Sequence, residues 1–415
     1  MLFAALAMVI HTVLAPLPNS RPSASVGNRR DQLITSYFRQ GFSSKDIMLC
    51  LAASHGIALS YRTLKRILHR LGLKRRAPCT EALVTRAALE IRKELKESGQ
   101  MIGYKAMWNR LKLKGLVVAR DTVREIMLHL DGKGVRERAR RRLKRRQYIN
   151  PGPNFVWHVD GYDKLKPYGF AIHGAIDGFS RRIMWIEIGT TNNNPRVIVK
   201  YFLNTVLEMK TLPCIVRSDH GTENVLMKDT QTHLRSKFND EFSGESSFMQ
   251  GRSSSNQRIE AWWGILRKQC VGYWMNHFKD MVAIGMLDTS DPMHMNALRF
   301  CFLDLIEADI KRTALEWNRH LIETKVASDT PRGKPDVMYF HPVLYDTESY
   351  GFDCPEAEVV TLLHELDRLD AIPDIHDPDF TRLVNLLVPE WDIPNDTDSA
   401  MKLYARILDA TFRVC

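Results

Sequence analysis

The chain has 415 residues, 44% hydrophobic and 26% charged, enough for two to four folded domains and too apolar for a disordered polymer. A formal net charge of +11 favours a polyanionic partner without choosing a fold. Seven cysteines stand singly, with no CxxC pair, which argues against a disulfide framework or a structural zinc site and fits a reducing compartment. Beyond the first 17 residues no apolar stretch approaches 20, so no membrane partner is expected.

The charge is unevenly spread. Residues 28–146 hold 30 Lys and Arg against 10 Asp and Glu, whereas 345–415 hold 5 against 16. A basic front half and an acidic tail suggest a nucleic-acid-binding arm and a separate role for the tail. The apolar start over 1–17 resembles a secretory signal core, but it lacks a basic flank and Pro16 directly follows Ala15. Residues 1–30 are therefore read as leader and linker.

Three short helical patterns follow, over 31–40, 43–54 and 60–71. Ser43 or Ser44 can cap the second and Ser60 the third, with Gly56 in the turn between them and Gly72 as the stop. Helix, short turn, helix over 31–76 is the helix-turn-helix plan. The outward face of the third helix carries Arg62, Lys65, Arg66, His69 and Arg70. Cations of this kind bind phosphates and guanine edges; the plainer alternative is a solvated helix face. The unit recurs: residues 57–68 align with 116–127 at an offset of 59, and Thr63 matches Thr122. A second module is thus expected over 82–131. A basic run over 136–146, within a linker at 132–150, includes Arg141, Arg142 and Lys144. It is expected to hold phosphates or direct import into the nucleus; a solvated linker is the alternative.

From residue 151 the pattern changes to strands and helices in the order β-β-β-α-β-α-α, an α/β mixed sheet over 151–345. Three acids sit where this order makes them converge. Asp160 ends the first strand, Asp219 ends the fourth, and Glu260 lies one turn into a helix that follows a polar loop. They are 59 and 41 residues apart. Three packed carboxylates repel one another unless a cation is present. Hard oxygen ligands select Mg2+ or Mn2+, and a pair of such ions suits phosphoryl transfer. Asp163 and Asp177 read instead as turn residues, and Glu223 as a cap for the helix after Asp219.

The stretches His158-Val-Asp160, Ser218-Asp-His-Gly-Thr-Glu-Asn224 and Asn256-Gln-Arg-Ile-Glu260-Ala-Trp-Trp263 together resemble the integrase core of retroviruses and of many transposases. The likeness covers about 150–342 and is especially close to integrase-core proteins of animals and fungi, through Asp160-Gly-Tyr-Asp-Lys-Leu165 and His173-Gly-Ala-Ile-Asp-Gly-Phe-Ser-Arg181. The resemblance implies a ribonuclease-H-like mixed sheet with flanking helices, here preceded by all-α helix-turn-helix modules. It also implies metal ligation and catalysis by Asp160, Asp219 and Glu260, two Mg2+ or Mn2+ ions, double-stranded DNA as partner, and a homo-oligomer. Asn256 and Gln257 resemble the polar pair before the family's glutamate and are expected at DNA, as are Arg267 and Lys268 two turns beyond Glu260. One departure stands out: the lysine that retroviral cores often carry one turn after the glutamate is Gly264 here, which puts DNA-end positioning in doubt.

The expected activity is cleavage and joining of DNA strands. The alternative is a domesticated DNA-binding or scaffold protein without turnover, with a nuclease acting on RNA–DNA hybrids a weaker third. The acidic region over 346–415 reads as helices that either pack on the core or contact a partner.

Overall fold

The structure, a computed structural model, describes residues 26–74, 80–132, 150–251, 256–323, 331–368 and 377–412. The leader over 1–17 and the basic run with Arg141, Arg142 and Lys144 lie outside the described residues. Helices α1 (Val26–Arg39), α2 (Ser44–His55) and α3 (Tyr61–Arg70) come first. Ser43 Oγ accepts the Asp46 N–H and the Asp46 carboxylate accepts the Ser43 N–H, both at 3.1 Å, so this reciprocal pair fixes where α2 begins. Ser60 Oγ caps α3 through the Thr63 N–H at 3.1 Å. Ile34, Tyr37, Ile47, Leu51, Leu64, Ile67 and Leu68 bury one another between the three helices.

Helices α4 (Glu81–Lys96), α5 (Tyr104–Leu113) and α6 (Arg120–Leu130) form the second trio. The repeat seen in the sequence is a repeat of backbone as well. Gly56 and Gly115 both take left-handed φ, +63 and +77, where a side chain would be strained. Each turn is followed by a helix at the same spacing, and Val123, Ile126 and Met127 stand in the inner positions of Leu64, Ile67 and Leu68. Ala119 occupies the place of Ser60, and α6 accordingly has no side-chain cap.

The second half is built on a five-stranded sheet: β1 (Val156–Tyr162), β2 (Ala171–Asp177), β3 (Ile183–Gly189), then, after α7 (Pro195–Met209) and a two-residue strand β4 (Thr211–Leu212), β5 (Ile215–Ser218), and after α8 (Val225–Arg235), β6 (Phe248–Gln250). The order across the sheet is β3-β2-β1-β5-β6, with β1, β2 and β3 antiparallel and β5 and β6 parallel to β1. This is a ribonuclease-H-like mixed sheet. Strand β6, too short to carry a periodic signal, was not expected from the sequence.

Alternation along β1 assigns its two faces. Trp157 and Val159 enter the core shared with α7 and α8, whereas Tyr162 enters the other core with Ile172 and Ile176 of β2. Asp160 is therefore on the second face. Helix α9 (Gln257–Leu266) covers it and runs through a wider π turn (Arg267–Val271) into α10 (Gly272–Ala283), with the long α11 (Pro292–Arg319) behind.

The rest is α12 (Pro335–Phe340), β7 (Phe352–Asp353), which pairs with β4, and helices α13 (Glu356–Arg368), α14 (Pro378–Leu387) and α15 (Thr397–Phe412). The acidic region packs on the core: Val359 and Leu363 of α13 on one face, and Phe380, Val384, Leu403, Tyr404 and Ile407 of α14 and α15 on the other. Both N-terminal trios are also docked. Val337 of α12 enters the first trio's core, and Ser54 Oγ meets His341 Nδ1 at 3.1 Å. No helix among the described residues is long and apolar enough to cross a membrane.

Asp177 closes the β2–β3 hairpin as the sequence suggests for a turn residue. Its buried carboxylate accepts the Asn154 N–H (2.7 Å), the Ser180 N–H (2.7 Å) and the Ser180 hydroxyl (2.6 Å). Asp177→Ala strands two backbone donors and is expected to cost about 2–5 kcal/mol in urea unfolding. A loss well below that range would mean water replaces the carboxylate.

Candidate active site

The sheet order brings the three expected acids to one end of neighbouring elements. Asp160 is the fifth residue of β1, Asp219 follows β5 directly, and β1 and β5 are hydrogen-bonded neighbours. Glu260 is in the first turn of α9, which lies over the Asp160 face. Local contacts hold the two aspartates in place. Trp263 Nε1 donates to Asp160 Oδ2 at 2.9 Å. Asp219 Oδ1 accepts the Gly221 N–H at 3.2 Å and the Asn224 amide at 3.4 Å.

The three side chains share one electrostatic environment. Burial raises the Asp160 carboxyl to about 7, the charges of Glu260 and Asp219 push it in the same direction, and the Trp263 N–H opposes them. Burial and then Asp219 raise Glu260, while Lys164 lowers it. Protonation of a carboxyl at neutral pH is what a cation in the same place reverses.

A pair of divalent cations is the group that the resemblance implies. Three carboxylates from three elements are the right hard-oxygen donors for Mg2+ or Mn2+. As the side chains stand, however, no group of three or more His, Cys, Asp or Glu among the described residues is drawn close enough to hold an ion. Asp160 is turned to Trp263, and Asp219 to Gly221 and Asn224. The donor set fits the cations in chemistry and in its place on the sheet, and the Trp263 bond occupies one Asp160 oxygen.

Other expected site residues fall out differently. Asn256 is buried: its Oδ1 lies 2.7 Å from His158 Nδ1 and its Nδ2 donates to the Val159 carbonyl at 2.7 Å. It is expected at DNA from the sequence, and the structure places it inside the fold. Its polar groups are spent tying the start of α9 to β1, which positions Glu260 relative to Asp160. Gln257 is half-buried beside it, and Arg267 and Lys268 are exposed in the π turn. Glu223 does not cap α8 either; its carboxylate accepts the Asn224 amide at 2.9 Å, next to Asp219.

Arg62, Lys65 and Arg66 project from α3 into solvent, with Lys65 over the Tyr61 ring at 5.4 Å. Arg70 is exposed too but is ion-paired with Asp31 of α1, so part of its charge serves the module itself. Two neighbours of the acids escaped the sequence reading: Trp263, which touches Asp160, and Lys164, whose charge reaches Glu260. Spacing could have found the first, because Trp263 is three residues from Glu260 and so on the same side of α9.

With this geometry in place, comparison adds one finding. Residues 147–349 match the family model of an integrase core domain, which supports a family-level assignment of that region. No curated protein matches the chain.

Proposed function

We propose that the chain is a DNA-directed polynucleotidyl transferase of the integrase and transposase type, cutting phosphodiester bonds and transferring strands at Asp160, Asp219 and Glu260. The observation that carries this reading is the placement of those three carboxylates, near the end of β1, directly after its neighbour β5, and in the first turn of the helix α9 that covers the Asp160 face. Two Mg2+ or Mn2+ ions, when bound, activate the attacking oxygen and neutralise the leaving one. The protein's own part is placement. The carboxylates would supply oxygen ligands from two neighbouring strands inside the sheet and from the first turn of a helix. Arg267 and Lys268 offer cations to phosphates beyond the site. Arg62, Lys65 and Arg66 bind the duplex, through phosphates or base edges, away from the chemistry. The helix-turn-helix trios favour duplex DNA over an RNA–DNA hybrid, and the basic run over 136–146 supports work in the nucleus. Strand transfer needs two DNA ends brought together, which supports a homo-oligomer.

The test is nicking of supercoiled plasmid in Mn2+ or Mg2+, comparing the wild-type protein with Asp219→Asn. Metal-dependent nicking that falls by at least about a hundredfold in the variant supports the assignment. Because no set of acids among the described residues is gathered around a point as the side chains stand, a second reading is a DNA-binding scaffold without turnover. DNA binding retained by a wild-type protein that neither nicks nor binds Mn2+ is the result that favours it.

A further inference from the structure

Two indoles stand side by side on α9, and they are wired differently. Trp262 packs against Trp317, ring centroids 5.2 Å apart, and its Nε1 meets no hydrogen-bond partner among the described residues. Trp263 sends its Nε1–H to Asp160 Oδ2 at 2.9 Å. Its ring is fixed from two sides. Tyr162, two residues after Asp160 on the same face of β1, stacks on it at 5.0 Å with the planes 28° apart. Its far edge rests on Gly174, which faces Asp160 directly across the β1–β2 ladder. A Cβ on Gly174 would stand 3.0 Å from Trp263 Cη2 and 3.2 Å from the Trp185 carbonyl oxygen, tighter than an ordinary contact. The glycine thus leaves the space the indole fills, and the indole arrives with its N–H aimed at one carboxylate oxygen.

We infer that Trp263 is a positioning residue for Asp160, fixing which way the carboxylate is turned and so which oxygen it presents to a divalent cation. The inference rests on the metal reading of the site above. A hydrogen bond from a buried, stacked indole removes the freedom that an unsupported aspartate would lose on ligation. Partners that orient ligands in this way typically matter about 10–100-fold in metal affinity or activity. The wiring also joins two acids through one helix, because Glu260 and Trp263 share a side of α9.

The experiment is Mn2+ binding to the full chain by calorimetry, for wild type, Trp263→Phe, Trp262→Phe and Asp219→Asn. Phe keeps an aromatic ring and removes the N–H. Trp263→Phe is expected to weaken Mn2+ roughly 10–100-fold at unchanged far-ultraviolet circular dichroism, with nicking restored towards wild type at saturating Mn2+. Trp262→Phe is expected to bind as wild type does. Gly174→Ala, which pushes the indole off its seat without altering it, is expected to weaken Mn2+ in the same direction and serves if Trp263→Phe does not fold. Wild-type affinity in both Trp263→Phe and Gly174→Ala overturns the inference, as does equal weakening by the two tryptophan variants. A wild-type protein that binds no more Mn2+ than Asp219→Asn overturns the metal site itself, and this inference with it.

Discussion

Asp160→Asn is expected to make the metal-free protein more stable at pH 8 while removing its response to Mn2+. The carboxyl is raised from 3.8 to about 7, first by burial and then by the charges of Glu260 and Asp219. An acid raised in the folded state holds its proton there after the unfolded chain has lost it. Below about pH 4 both states are protonated and the group is neutral in the balance. As pH rises from about 4 to 7 the unfolded chain ionises first and native stability falls, and above about 7 the loss is complete. Three pH units correspond to about 4 kcal/mol at most; residual solvent access makes about 1–3 kcal/mol the expected size. The amide carries no charge, so its advantage is present at pH 8 and shrinks towards pH 4. Mn2+ at a hundred times its dissociation constant should restore about 2.7 kcal/mol to the wild-type protein at pH 8, and little to the variant. Thermal melts across pH with and without Mn2+ check both halves. A variant less stable than wild type at pH 8 would show that burial and neighbouring charge do not strain Asp160, and one stabilised equally by Mn2+ would show that Asp160 is not a ligand.

Much of this site could be read from the chain because its acids sit at element ends. A strand of alternating apolar residues leading to Asp160, which in the structure runs on to Tyr162, a short buried strand closing on Asp219 and a helix opening before Glu260 need only the rule that a sheet gathers its strand ends. The capped helix starts at Ser43 and Ser60 and the repeat around Gly56 and Gly115 are equally local, since each depends on a turn of a few residues. What the sequence hid is tertiary. Asn256 looks the same whether it faces DNA or the backbone of β1; only the fold shows its amide bonded to the Val159 carbonyl. Trp263 reads as a core aromatic, and nothing along the chain says that a glycine 89 residues earlier leaves room for it beside Asp160. Strand β6 has three residues and no period to detect.

Arg110 hides in the same way. In sequence it is one cation among many in a basic arm, yet it shares the inner face of α5 with Met107 and Leu111 and is buried. Its Nη1 meets Glu94 of α4 at 2.6 Å and its Nε meets Glu316 of α11 at 3.0 Å, with all three side chains shut away from water. Burial alone would raise Glu94, but Arg110 first, then Arg312 and Lys114, hold it at about 2. Arg312 of α11 reaches the same cluster directly, its Nη1 3.5 Å from Glu94 Oε1, and also donates to Ser98 Oγ at 3.0 Å. Arg110 and Arg312 therefore bolt the second helical trio to the longest helix of the core, so that α6 is carried at a set position relative to the acids rather than on a free tether. Arg110→Leu leaves two carboxylates buried without their shared cation and is expected to cost about 3–5 kcal/mol, the usual penalty for breaking a buried ion pair from one side. The triple change of Arg110, Glu94 and Glu316 to Leu removes the three buried charges together, leaves Lys114 paired with Glu90 and Arg312 with Asp309, and should recover most of that loss, because an apolar cluster of similar volume has no desolvation to offset. Urea unfolding of the full chain distinguishes these outcomes. If the single and triple variants lose stability equally, the packing of the arginine stem, and not the pairing of its charge, holds the trio to the core. If the triple variant recovers but binds DNA with altered geometry, the ion cluster sets the angle of the arm rather than its attachment.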